Sequence, residues 1–177
     1  MAGLTPQERL QPSLLDRLTD VAPGAPQESL EARVLSKKQL REAVLRDLSW
    51  LFNASAQEPP PRCPDVERVR LWREMRDARE SVINFGIPAL SGTTVSLLDF
   101  PGIEEAIRQA ILRFEPRIDA KTLAVKITND LSTGLRPTSL RLVIRGQLWN
   151  QPVPLELLLS ADVDVDTGQA AVRDMRQ

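Results

Sequence analysis

The sequence predicts an α+β domain: N-terminal helices, then an antiparallel β-meander of about four strands packed on the helix that ends in Glu115-Pro116-Arg117. Apolar residues recur at three- and four-residue spacing between Ser36 and Phe114, and beyond Arg117 the period drops to two. The 177 residues, 42% of them hydrophobic, supply one sizeable core, so residues 36–177 are expected to form a single domain.

Residues 1–35 hold Pro6, Pro12, Pro23, Gly24 and Pro26, which prevent long helices and mark a flexible arm. Within it Ser13, followed by Leu14, Leu15 and Leu18, has the pattern of a capped helical turn with one apolar face. That turn is either a docking segment for a partner or part of a disordered leader.

The first long helix starts at Ser36. Ser36 and Gln39 stand at capping-box spacing, and Leu40, Val44, Leu48 and Leu51 follow on one face, widened by Leu45 and Phe52. Pro59, Pro60, Pro61 and Pro64 make the next stretch a loop. A second helix is expected from about Asp65 to Phe85, with Val69, Trp72, Met75, Val82 and Ile83 inward. Its arginines 68, 70, 73, 76 and 79 interleave with Glu67, Glu74, Asp77 and Glu80, the pattern of a solvated ion-pair lattice. A nucleic-acid footprint would need positive charge without such compensation.

Gly86, Pro88, Ser91 and Gly92 break the chain before a third helix, with Asp99 or Phe100 near its N-cap and Pro101 in its first turn. Ile103, Ile107, Ile111 and Phe114 form its stripe, with Ala106 and Ala110. Pro116 disfavours the α conformation at Glu115, so the helix stops there and a carboxylate and a guanidinium flank the stop.

Alternation then takes over. Leu123, Val125 and Ile127 share one face of a first strand; Leu140, Leu142, Ile144 and Leu148 point inward from a second, with Arg141, Arg145 and Gln147 outward. A third strand alternates Leu155, Leu157, Leu159, Ala161, Val163 and Val165 against Glu156, Ser160, Asp162 and Asp164. Asp166-Thr167-Gly168 is a turn, and Gln169 to Arg173 return as a short fourth strand.

Composition narrows the chemistry. Histidine and tyrosine are absent, which removes the commonest general base and the commonest metal ligand. Lys plus Arg number 23 against 24 for Asp plus Glu, so no global field draws the chain to nucleic acid or anionic lipid. The one cysteine, Cys63, has no internal disulfide partner, which fits a reducing compartment and a cytoplasmic protein. The opening MAGLTPQERLQPSLL lacks the pattern of a secretory signal, and no window approaches the ~20 apolar residues of a membrane span, so direct membrane insertion is not expected.

Three constellations merit weighing. Asp162, Asp164 and Asp166 imitate the start of a calcium loop, but Thr167 stands where glycine is needed and Arg173 where glutamate is, so no metal is expected. No GxSxG or GxxxxGK motif offers a nucleophile or a phosphate cradle. Asp99, Glu104, Glu105 and Glu115 would be the carboxylates of a glycoside hydrolase with Glu115 as acid. Arg117 stands beside Glu115, and a neighbouring cation favours the ionised form of a carboxylate, which does not suit a general acid. No catalytic residue and no cofactor is therefore assigned, and Glu115, Pro116 and Arg117 are expected to bind a partner, alongside Leu14, Leu15 and Leu18. The alternative for Glu115 and Arg117 is an internal ion pair fastening the helix end to the sheet. Trp50, Trp72 and Trp149 are expected in core or rim packing.

SVINFGIPALSG (81–92), AIRQAILRFEPRI (106–118) and the strands ending in DVDVDTG together resemble the phage-tail baseplate wedge family often labelled lysozyme-like, within it the baseplate subunits of type VI secretion machines. SLLDRL and SKKQLREAVLRDLSWLFN extend the resemblance over almost the whole chain, and its most specific block is the intact Glu-Pro-Arg motif. The resemblance implies a structural subunit that contacts TssF and TssG at that motif. It also implies that the β region helps to start polymerisation of the sheath proteins TssB and TssC, on a baseplate at the inner face of the cytoplasmic membrane. The family label implies instead a peptidoglycan hydrolase. A small regulatory adaptor with a docking arm is the third reading.

Overall fold

The computed structural model describes residues 13–19, 24, 36–59, 64–91, 99–128, 139–149 and 154–176. Cys63, Pro60, Pro61, Gly92, residues 129–138, Pro152 and the remaining residues of 1–35 lie outside the described residues.

Four strands, β1 (Ala124–Thr128), β2 (Ser139–Leu148), β3 (Leu155–Asp164) and β4 (Ala170–Asp174), pair antiparallel in chain order. The register sets Val125 opposite Ile144, Ile144 opposite Leu159 and Ala161 opposite Val172, so the alternating apolar residues stack on one face. Leu140, Leu142, Ile144, Leu148, Leu159 and Ala161 are fully enclosed there. Gly168, at φ 73, turns β3 into β4. Strand positions, faces and the final turn follow the alternation of the sequence.

Two helices cover the apolar face. One, α2 (Lys37–Phe52), lies along β4; the other, α5 (Phe100–Phe114), lies along β1. Ser36 caps α2 through the expected reciprocal box with Gln39, and Leu40, Val44, Leu48, Leu51 and Phe52 are buried. Asp99 is the N-cap residue of α5, Pro101 sits in its first turn, and Ile107, Ala110 and Ile111 are buried. The result is a two-layer α+β fold. The short α1 (Leu14–Leu18) precedes them, capped by Ser13.

The expected helix from Asp65 to Phe85 is not one element. It divides into α3 (Val66–Glu74), α4 (Arg76–Glu80) and a 3₁₀ turn (Val82–Asn84). Neither α3 nor α4 has a buried residue; Val69 and Trp72 are half-buried, and Val82 and Ile83, expected inward, are 80% and 77% exposed. Part of the lattice forms, as Glu67 with Arg70 at 2.7 Å and Arg76 with Glu80 at 2.9 Å. The physical reason for the break after Glu80 is Asn84. Buried, it donates its amide to Arg79 C=O at 3.0 Å and accepts Gln57 N–H at 2.8 Å, which draws the chain out of the helical path.

Gly86 follows at φ 141, where an added Cβ would lie 2.5 Å from Ala54 O. That close approach permits the exchange of Ala56 N–H to Ile87 C=O (2.8 Å) and Ile87 N–H to Ala54 C=O (3.0 Å). In SVINFGI, then, Asn84 and Gly86 fix the return of the chain to the end of α2.

Candidate partner-binding site

α5 stops where Pro116 requires. Glu115 is its C-cap residue at φ −127, ψ 75, and donates its own N–H to Ile111 C=O at 2.8 Å. The side chain of Glu115 continues the apolar stripe, four residues after Ile111, and it is only 2% exposed. A buried carboxylate needs partners.

Arg117 supplies them. Its Nε donates to Glu115 Oε1 at 2.6 Å, its Nη2 to Oε2, and its backbone N–H to Oε1 at 3.2 Å. The same Nη2 donates to Asp47 Oδ2 of α2 at 2.5 Å. Burial works against the charge on Arg117, but Glu115 and then Asp47 outweigh it and hold its pKa above the ordinary guanidinium value. Nη1 of Arg117 is buried without a hydrogen-bond partner.

The chain of charges continues outward. Arg46 Nε donates to Asp47 Oδ1 at 3.0 Å, and Arg46 Nη1 to Asp16 Oδ1 at 2.7 Å, reaching α1. Burial raises the Asp16 pKa, but hydrogen bonds from Ser13 and Arg46 bring it below the ordinary value. Arg46 also lies over the Trp50 ring, 5.3 Å from its centroid. Backbone bonds tie the motif to the sheet: Trp149 N–H donates to Arg117 C=O at 2.7 Å and Asp119 N–H to Gln147 C=O at 2.8 Å. The motif, α2, the end of β2 and α1 are thus one connected unit.

The predicted site residues divide accordingly. Glu115 is turned inward, Arg117 is partly covered, and Pro116 is exposed. Leu14 and Leu18 are 71% and 73% exposed, with Leu15 beside them, so α1 offers its leucines outward. Trp50 and Trp149 are exposed as well and Trp72 is half-buried, so none of the three joins the core or the apolar side chains packed against it, contrary to expectation. Asp47 and Arg46 were not anticipated. A signal existed for Asp47, three residues after Val44 and four before Leu51: an acid in the phase of an apolar stripe requires a cation.

Of the four carboxylates considered for hydrolysis, Glu104, Glu105 and Glu115 are engaged, and Asp99 is exposed with no side-chain bond to the helix it precedes. Glu115 is enclosed in the guanidinium fork of Arg117 and does not face a substrate. Glu104 accepts Ile127 N–H at 2.8 Å and Lys126 Nζ at 2.9 Å; Glu105 accepts Gln109 Nε2 at 2.6 Å. The aspartates of β3 are likewise occupied, Asp162 by Arg141 Nε at 2.7 Å and Asp164 Oδ1 by the backbone N–H of Asp166 and of Thr167 at 2.9 and 3.1 Å.

No match is found among curated proteins or among solved structures. The family model of the baseplate wedge protein gp25 matches residues 38–153, more than half the chain, from the start of α2 through Glu115-Pro116-Arg117 and β2. By that match, which covers α2, the motif and the end of β2, the chain belongs to the baseplate wedge protein gp25 family.

Proposed function

We propose that the chain is a TssE-type subunit: a non-enzymatic structural component of the baseplate of a contractile type VI secretion machine. In this reading it binds the wedge proteins TssF and TssG around Glu115-Pro116-Arg117, and its sheet helps to start polymerisation of the sheath proteins TssB and TssC. It works in the cytoplasm, at the inner face of the membrane, as part of the assembled baseplate. The family match over the motif carries the reading.

The geometry supports a junction of a particular kind. The motif holds α5, α2, α1 and the end of β2 in one arrangement, so a partner that touches Pro116, Trp149 and the leucines of α1 meets a preformed surface. For the sheet, strand addition supplies main-chain hydrogen bonds with little demand on sequence.

Co-expression of the chain with TssF and TssG, followed by affinity capture, tests the junction. Trp149→Ser removes an exposed side chain beside the motif and leaves the backbone N–H that Arg117 C=O accepts, so it should keep the melting temperature and lose most of the captured wedge proteins. Full capture by that variant, or no capture by the unaltered chain, sinks the assigned role.

A further inference from the structure

The two edges of the sheet are unlike. In an antiparallel ladder every second residue of an edge strand turns its N–H and C=O away from its neighbour. On β4 the bonds of Asp164 N–H to Gln169 C=O (2.9 Å) and Met175 N–H to Leu158 C=O (3.0 Å) set the phase, leaving Ala170 and Val172 outward. On β1 the outward residues are Val125 and Ile127, because Ile127 N–H donates to Glu104.

Side chains occupy both edges with different chemistry. At β1 they are charged: Glu104 holds Ile127 N–H and the Lys126 ammonium, and Arg108 Nε donates to Leu123 C=O at 3.3 Å. The hydrogen bond from Ile127, and after it Lys126, keeps the Glu104 pKa below its ordinary value, so this contact favours the ion. An incoming strand would replace charge-assisted bonds with neutral ones.

At β4 the occupant is Asn53, exposed at the C-terminal end of α2. Its Oδ1 accepts Ala170 N–H at 3.0 Å and its Nδ2 donates to Ala170 C=O at 2.9 Å. A carboxamide carries the same donor and acceptor as a peptide group, so Asn53 stands where the backbone of an added strand would stand. Exchanging one exposed amide for another is nearly neutral, and Asn53 retains a bond from Nδ2 to Ser49 C=O at 2.8 Å. Beside it, the outward N–H and C=O of Val172 have no partner among the described residues.

We propose that β4 is the accepting edge of this sheet and that Asn53 is a placeholder, displaced when an extended segment of a partner protein lies down beside Ala170 and Val172. The proposal rests on the reading that the sheet templates strand addition, and it names the edge and the residue that guards it.

Amide hydrogen exchange by NMR on the full chain, alone and with purified TssB and TssC as the probe, tests it. The Val172 amide should slow at least tenfold in the complex while that of Val125 stays unchanged. Asn53→Ala should bind the probe several-fold more tightly, and Glu104→Ala should not. Slowing at Val125 without Val172 overturns the assigned edge and leaves strand addition standing. Binding that slows neither amide sinks strand addition and the edge together. Absence of binding removes the sheath reading and this proposal with it. Protection of Val172 in the chain alone, through edge pairing of two copies, would also overturn it.

Discussion

Arg117 reaches back to Glu115 with Nε and Nη2 and encloses its carboxylate, while Nη2 also holds Asp47 on another helix. The motif therefore has an internal task before any external one. A change at Arg117 reports first on folding, and only a change that spares the fork reports on a partner.

Arg117→Ala should destabilise the chain by about 3 kcal/mol, because it strands a buried carboxylate rather than merely losing a contact. Adding Glu115→Gln to that variant should restore part of the loss, since a neutral amide is less costly to bury than an unpaired ion. Urea titration of both variants measures this. A loss under about 0.5 kcal/mol for the single variant would mean that the fork contributes little.

Local patterns disclosed local structure well. The Ser36 and Gln39 spacing specified a cap that forms as expected, and the period of two placed Leu140, Leu142, Ile144 and Leu159 inward because an alternating strand has only two faces. Long-range pairing was not disclosed: Arg117 and Asp47 are 70 residues apart, and nothing within either segment names the other. The Asp65 to Phe85 segment misled for the opposite reason. Helical spacing of Met75, Val82 and Ile83 says that a helix would have an apolar face, not that a core exists for it to meet.

That difference is measurable. Val82→Ser and Ile83→Ser remove exposed apolar groups, so each should change stability by no more than about 0.5 kcal/mol. Leu142→Ala, in the enclosed face of β2, should cost about 2–5 kcal/mol. Thermal melts of the three variants separate the cases, and a loss at Val82 comparable with that at Leu142 would contradict its exposure.

Gly86→Ala should be costly in spite of its small size. The added Cβ meets Ala54 O at 2.5 Å and the residue sits at φ 141, so both space and backbone conformation oppose it. A loss of about 2 kcal/mol is expected, with faster exchange of the Ala56 and Ile87 amides. Unchanged exchange would show that the approach relaxes without consequence.

Acid should loosen two specific contacts. The pKa values of Asp16 and Glu104 lie below their ordinary 3.8 and 4.5, so each favours folding fully above those values and loses that contribution as pH falls through its lower folded value. Stability should therefore be flat from pH 7 to about 5 for these groups and decline below about 4. Glu104→Gln should flatten part of the decline in a series of urea titrations. An equally steep acid limb in that variant would assign the decline to other carboxylates.

The N-terminal turn is held to α2 by the ion pair of Arg46 with Asp16 at 2.7 Å. Its leucines face outward, so folding does not explain their apolar character. Replacing Leu14, Leu15 and Leu18 together by serine should leave the melting temperature within a degree or two, roughly the scale of a surface change. The same variant should lose captured TssF and TssG if α1 is a handle for the wedge. Arg46→Ala separates presence from position: the leucines remain, the tether goes, and the α1 amides should exchange faster. Weakened capture by Arg46→Ala together with loss in the serine variant identifies a positioned docking turn. Full capture by the serine variant would reduce α1 to a cover over the charge chain that leads inward to Glu115.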